Sequence, residues 1–273
     1  MHIDSFQYSF AASGTTDVGM ENRINDDRIV LDTDHGFFAV SDGMGGLRCG
    51  NAAASYVAES LPGLMNICLS ECSAEEDTAE AAERLRFMVR LLSDKLYRSG
   101  NSEGRFDYGA TLAGIWLYRE CAVFVGLGDS RGYLLQKDGD RLIQVTQDMN
   151  MAGLMVRNGL MTIREAARSP ARSRLTAFVG MEEPATPESD IREIRPGDMM
   201  LLCSDGLYGM VPEAEILEEM RAGNDLEEIC HRLIDRANRY GGRDNISAVI
   251  ICIGEQTDAG RGNKHEDRRS LEA

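Results

Sequence analysis

The 273-residue chain predicts an antiparallel α/β layered domain. Three observations point that way: short apolar strands fall into two groups, a pair of long helical stretches stands between them, and the regular βαβ alternation of a parallel sheet is missing. In the first group, Phe6 to Ala12, Arg28 to Leu31 and Gly36 to Ser41 have strand character. Asn51 to Leu69 then puts Ala53, Val57, Leu61 and Leu64 on one helical face. Ser73 with Glu76 has the spacing of a capping box opening a second helix, whose stripe of Leu85, Met88, Val89, Leu92 and Leu96 makes one buried face. The second group comprises Thr111 to Tyr118, Cys121 to Gly126, Gly132 to Gln136 and Arg141 to Val145, the last two joined as a hairpin by Lys137-Asp138-Gly139-Asp140. Two short helices are expected over Met149 to Asn158 and Thr162 to Arg168, with Thr162 and Glu165 capping the second. Met199 to Cys203 reads as a strand, Leu226 to Asn238 as a helix and Ile246 to Ile253 as a closing strand.

Composition bounds the function. With 29 Lys plus Arg against 45 Asp plus Glu the net charge is −16, which argues against general nucleic-acid binding. At 43% hydrophobic and 27% charged residues, the chain is that of an ordinary globular protein. No apolar run approaches the roughly 20 residues that span a bilayer, and the N-terminal MHIDSFQYSF lacks the layout of a signal peptide. A cytoplasmic protein is expected. Seven scattered cysteines, an odd number, do not make a secreted disulfide framework. Cys68 and Cys72 have helical spacing and no second pair to complete a zinc site, so they read as two buried thiols on one helix face. Residues 1–253 form one expected domain, and the polar segment 254–273 an expected disordered tail.

Aspartates recur where apolar strands stop or start. Asp42 follows Phe37-Phe38-Ala39-Val40-Ser41, and Asp129 follows Val123-Phe124-Val125-Gly126-Leu127-Gly128. Asp205 follows Met200-Leu201-Leu202-Cys203-Ser204, Asp244 precedes the closing strand, and Asp26 and Asp27 head an early one. Strand ends are rigid, so acids there converge with little orientational freedom. Gathered carboxylates repel and lose solvation unless cations offset both costs. Mg²⁺ and Mn²⁺ suit such oxygen sets and acidify a bound water into a nucleophile. Gly43 and Gly206 let backbone approach closely, and the Gly43 carbonyl could itself be a ligand. Any one of these acids is foremost a turn or strand-end residue, as Asp138-Gly139 is; only the ordered set points to chemistry.

That set is Asp42-Gly43-Met44-Gly45-Gly46, Gly109-Ala110-Thr111-Leu112, Gly128-Asp129-Ser130-Arg131-Gly132, Ser204-Asp205-Gly206-Leu207 and Gly242-Arg243-Asp244-Asn245. In order and interval it resembles the protein phosphatase 2C family, the metal-dependent serine/threonine phosphatases, in a bacterial-type version, from about Gly14 to Ile253. The resemblance implies two antiparallel sheets in a central sandwich flanked by pairs of helices on both sides (αββα). It implies a phosphatase that hydrolyses phosphoserine and phosphothreonine in proteins by attack of a metal-bridging water, using two Mn²⁺ or Mg²⁺ ions and a third. Asp42, Asp205 and Asp244 would hold the first metal and carry catalysis. Asp42 and the Gly43 carbonyl would hold the second, with an acid of Asn25-Asp26-Asp27 acting through water, Asp26 matching better. Asp129 with Asp205 would make the third. Residues 147–181 resemble the family's flap, which contacts substrate. The partners implied are phosphoprotein substrates of a bacterial serine/threonine kinase, acted on by a monomer.

The chain departs from the family at four places. Asn22 stands where an arginine usually grips phosphate, with Arg23 beside it, so Asn22 and Arg23 are the substrate-binding candidates. Asp26 replaces a glutamate, Leu47 a histidine and Met149 the flap's histidine. Three rivals remain. Gly128-Asp129-Ser130-Arg131-Gly132 fits G-x-S-x-G, but a strand rather than a helix follows and no histidine has a motif neighbour. The loop Gly43 to Gly46 lacks the Lys-Ser/Thr ending of a P-loop. An interaction protein of the same fold with weakened chemistry is kept open by Asn22.

Overall fold

In the computed structural model, residues 6–44, 50–72, 76–100, 108–182, 186–223 and 225–256 are described. The elements run β1 (Tyr8–Asp17), β2 (Asp27–Asp32), β3 (Phe37–Met44), α1 (Gly50–Glu71), α2 (Thr78–Gly100), β4 (Gly109–Ala110), β5 (Leu112–Tyr118), β6 (Cys121–Leu127), β7 (Arg131–Leu135) and β8 (Ile143–Gln144). There follow α3 (Met151–Arg157), α4 (Ile163–Ala166), a 3₁₀ turn (Pro170–Ser173), β9 (Glu188–Glu193), β10 (Met199–Cys203), α5 (Asp205–Tyr208), α6 (Glu213–Arg221), α7 (Leu226–Arg239) and β11 (Ile246–Gln256). One sheet has the order β1-β11-β10-β7-β8, the other β2-β3-β5-β6-β9 with β4 paired to β3. Neighbouring strands in both sheets pair antiparallel.

Side-chain alternation along the strands explains the layering. In β3, Phe37 and Ala39 join the apolar cluster under α1 and α2, while Phe38 and Val40 point into the cluster between the sheets. In β10, Met200 and Leu202 face that same interior, and Leu201 and Cys203 pack with Leu233 and Ile234 of α7. Strands covered on both faces read as unbroken apolar runs, because neither face can be polar. Three apolar layers between four structural ones give the αββα sandwich.

Several expectations shift in detail. Strand β9 and helix α6 were not anticipated, and the expected strand Arg141 to Val145 reduces to Ile143–Gln144. Ser73 lies outside the described residues, and the cap of α2 sits one step later than Glu76. The Glu80 N–H donates to Asp77 Oδ1 (2.9 Å), and the Asp77 N–H donates to Glu80 Oε2 (3.0 Å). The Thr162–Glu165 capping box is present as expected. Of the expected pair of buried thiols, Cys68 is buried in α1 and Cys72 is half-buried just past its end, its Sγ donating to the Cys68 carbonyl. Burial pushes Cys72 up to about 11 and Cys68 to about 12. Strand β11 continues to Gln256, three residues past the expected end of the domain, and residues 257–273 of the expected tail lie outside the described residues. Among the described residues no helix is long and apolar enough to cross a membrane.

Phe38 is fully buried between the sheets, edge-on to Phe10 at 5.7 Å. Phe38→Ala should lower the unfolding free energy by about 3–5 kcal/mol in a urea titration. A loss below about 1 kcal/mol would mean that the sandwich interior is not packed in this way.

Candidate active site

Antiparallel pairing brings the acid-bearing strand ends to one edge of the sandwich. In the β2–β3 ladder Asp27 is directly opposite Asp42. Cys203 of β10 pairs with Arg131 of β7 and with Ala248 of β11, so Asp205, Asp129 and Asp244 all emerge just beyond the same rim. Opposed like charges destabilise a strand pair, and burial adds to that. Burial raises the Asp42 carboxyl well above its ordinary range, and Asp27, Asp205, Asp244 and Asp129 push it in the same direction. Asp205 is raised to about 7 and Asp129 to about 6, both chiefly by burial. Asp26 is raised by burial too, against the opposing pull of a hydrogen bond from Asn51 and the charge of Arg28.

The chain fixes these acids through a polar scaffold. Ser204 and Ser247 each donate a 2.7 Å hydrogen bond to Asp27 Oδ2. Asn245 accepts from the Asp26 N–H at 2.8 Å and donates to the Val18 and Ile24 carbonyls, so it ties the β1–β2 loop to the start of β11. Thr111 Oγ1 takes the Asp42 N–H at 3.0 Å and meets Ser130 Oγ at 2.6 Å, which gives the Gly-Ala-Thr motif its place. Asn150 Nδ2 donates to Asp129 Oδ2 at 2.9 Å, carrying the start of segment 147–181, the expected flap, to the site. Arg131 grips Asp148 with two bonds (2.8 and 2.7 Å) and lies 3.7 Å over the Tyr208 ring. The Tyr208 hydroxyl donates to the Asp129 carbonyl, and Arg172 of the flap stands 5.2 Å over the same ring. Arg172 lowers both Asp129 and Asp205 by its charge.

Glycine matters at two places. A Cβ on Gly43 or Gly206 would collide with the carbonyl of Gly50 or Asn245 respectively, so both backbones come as close as the sequence suggested. A methyl placed on Gly50 would stand 2.6 Å from the Gly43 carbonyl oxygen and 3.2 Å from Asp26 Oδ2. Those two oxygens therefore border one small space.

These residues suit a hard divalent cation. The donors are all oxygen, and Asp27 Oδ1 and Asp205 Oδ1 are buried without a hydrogen-bond partner. Among the described residues, the carboxylate ion pairs lie elsewhere, on the helices, on β9 (Arg192–Asp190) and at Arg131–Asp148 for example, and none involves Asp26, Asp27, Asp42, Asp129, Asp205 or Asp244. No group of three or more His, Cys, Asp or Glu side chains among the described residues already forms a ligating cluster. The convergence is carried by the ladder register and the shared rim.

Each expected site residue has a defined place. Asp26, Asp42, Gly43, Asp129 and Asp205 are partly or fully buried at the rim, and Asp244 is exposed beside them. Asn22 Nδ2 donates to Asp244 Oδ1 at 3.0 Å. Arg23 is exposed and has no ion-pair partner among the described residues. Residues 18–26 form a turn, so the rule that neighbouring strand residues face oppositely does not govern Asn22 and Arg23. Leu47 lies outside the described residues. Met149 is buried, its N–H donating to the Gly128 carbonyl. A strand, β7, follows Ser130, so the serine-hydrolase elbow is not built. In the sequence Asp27 is a candidate together with Asp26, and Asp26 is preferred; Asp27 is fully buried and raised to about 6 by burial, with Asp244 and Asp26 adding to it. It is the first residue of β2 and stands opposite Asp42, a register that adjacent acids in the sequence do not reveal.

The family described as "Protein phosphatase 2C" matches residues 20–250. A Listeria innocua protein named "Serine/threonine phosphatase stp" is 32% identical over 213 residues, which cover 78% of this chain and 82% of that one. The serine/threonine phosphatase PstP/Ppp of Mycobacterium tuberculosis superposes with a TM-score of 0.74 at 32% identity, covering 90% of this chain and 99% of that chain. The catalytic domain of a serine/threonine protein phosphatase PstP in complex with 2 manganese ions gives 0.72 at 30% identity, with coverage of 90% and 99%.

In EDTA-treated protein, Asp205→Asn should raise Tm at pH 8. The folded carboxyl is raised to about 7 against an ordinary 3.8, so ionising it opposes folding as pH climbs through that window. The gain should vanish below about pH 4, where both states hold the proton. Thermal scans across pH check this, and a variant less stable than the parent at pH 8 would contradict it.

Proposed function

The chain belongs to the protein phosphatase 2C family and is a phosphoprotein phosphatase, and from that premise we propose that it hydrolyses phosphoserine and phosphothreonine with divalent metal held by its strand-end acids. One observation carries the proposal: Asp42 stands directly opposite Asp27 in the β2–β3 ladder, with Asp205, Asp129 and Asp244 just beyond the same rim. Asp42, Asp205 and Asp244 would hold one ion; Asp42, the Gly43 carbonyl and Asp26 a second; Asp129 with Asp205 a third. Bound Mn²⁺ or Mg²⁺ supplies an acidified water and a Lewis acid toward phosphoryl oxygen.

The protein's own side chains do the rest. Ser204 and Ser247 hold Asp27 in one orientation against the Asp42 strand. Asn22 steadies Asp244, and the Arg172 guanidinium is the flap cation that reaches toward the acids, where an arriving phosphate dianion would meet it. The earlier rival, an interaction protein with weakened chemistry, is not favoured: Asn22 contacts a site acid rather than leaving the rim empty. The catalytic unit is taken as one domain ending with β11. The substrates are assigned to a bacterial serine/threonine kinase and the working form is a monomer. The described cysteines are free thiols, which supports a reducing, cytoplasmic setting.

With Mn²⁺ present the protein should turn over a phosphothreonine peptide, and EDTA should abolish this until Mn²⁺ is restored. Asp42→Ala should cost more than about a hundredfold in kcat. Full activity in Asp42→Ala, or in the chelated parent, would overturn the proposal. Asn22→Arg should lower KM for the peptide severalfold with a smaller change in kcat, read by steady-state kinetics; an unchanged KM would show that position 22 does not meet the phosphate.

A further inference from the structure

Residues 147–181 carry charge of the opposite sign to the rest of the molecule. They contain five arginines and no lysine against Asp148 and Glu165, a net of +3 in a chain of −16. Both acids are already engaged. Asp148 is held by the two bonds from Arg131, and Glu165 closes the capping box with Thr162. Arg157, Arg164, Arg168 and Arg174 are exposed, and none forms an ion pair with a described residue. Beside them Leu160 and Ile163 are 76% and 77% exposed, the most exposed of the large hydrophobics among the described residues.

The segment is fastened to the acid rim rather than free of it. Asn150 bonds Asp129, the Met149 N–H donates to the Gly128 carbonyl, and Val179 pairs with Ala110 beside Thr111. Arg172 reaches Tyr208, whose hydroxyl holds the Asp129 carbonyl. The segment that bears these guanidiniums therefore borders the rim that a phosphoresidue would enter. The molecule's net negative charge disfavours an acidic polypeptide at long range, and within a Debye length of about 8–10 Å the arginines of this segment attract one.

We infer that the flap selects phosphoproteins whose phosphoserine or phosphothreonine is flanked by acidic residues, the exposed arginines pairing with those carboxylates. This rests on the phosphatase activity proposed above and names its substrate class. The test compares two phosphothreonine peptides, one with glutamates and one with lysines around the phosphoresidue, on the parent and on the triple variant Arg164→Gln/Arg168→Gln/Arg174→Gln, with p-nitrophenyl phosphate as the flank-free control. The parent should favour the acidic peptide through KM, and the preference should shrink between about 50 and about 500 mM NaCl. The triple variant should lose at least about fivefold of that preference, with p-nitrophenyl phosphate turnover unchanged. Equal KM for both peptides in the parent, or a preference that survives the triple substitution, would overturn the inference. Absence of any turnover would instead strike the proposed activity, and fluorescence anisotropy of the labelled peptides would still read the flank preference directly.

Discussion

Two carboxylates placed face to face across a buried strand pair set the terms for everything around them. Asp27 and Asp42 occupy opposite positions in the β2–β3 ladder, and neither forms an ion pair with a described residue. A fold would not keep such an arrangement for stability, since both repulsion and desolvation oppose it. It persists because the surrounding structure is overdetermined: two serine hydroxyls on Asp27, a threonine on the Asp42 backbone, and an asparagine that uses its whole amide to tie the β1–β2 loop to the start of β11. The acids are thereby held ready for positive charge, which is what a metal-dependent phosphatase needs before its substrate arrives.

The four-layered architecture supplies the rigidity. Each central strand contributes to two apolar layers, so a residue such as Phe38 or Leu202 locks the sheets together while its neighbours lock the helices on. Antiparallel pairing then delivers the C-terminal ends of β3, β6 and β10 and the N-terminal ends of β2, β5, β7 and β11 to a common rim. Acids distant in the chain meet there with almost no loop between them and the core. The flap is different: its helices are short, its arginines exposed, and its attachment runs through a few polar contacts. Rigid acids thus stand beside a cationic segment that a few polar contacts tie to their rim.

How much could be read from sequence depended on how strongly each feature was patterned. Helices α1 and α7 and the buried strands were legible because apolar spacing and continuous apolar runs are strong signals. Strand β9 was not, since Glu188–Glu193 lies at a sheet edge where charged residues guard against further pairing and erase the apolar pattern. Helix α6 is short and opens after Pro212, with acids through most of its length. The cap of α2 shows a subtler limit: Ser73-x-x-Glu76 and Asp77-x-x-Glu80 both have the right spacing, and spacing alone does not choose between them. At the site, the strand-end position singled out Asp42, Asp129, Asp205 and Asp244. Asp27 was overshadowed by its neighbour Asp26, because only the ladder register reveals which of two adjacent acids turns inward. The partnership of Arg131 with Asp148, and the stacking of two arginines on Tyr208, depend on side-chain directions that no local pattern encodes.

Crystals grown with manganese and measured at its absorption edge test the central claim most directly. The account predicts anomalous peaks bordered by Asp42, Asp205 and Asp244 and, on the other side of Asp42, by the Gly43 carbonyl and Asp26. A fully ordered rim with no anomalous signal at those carboxylates would contradict it.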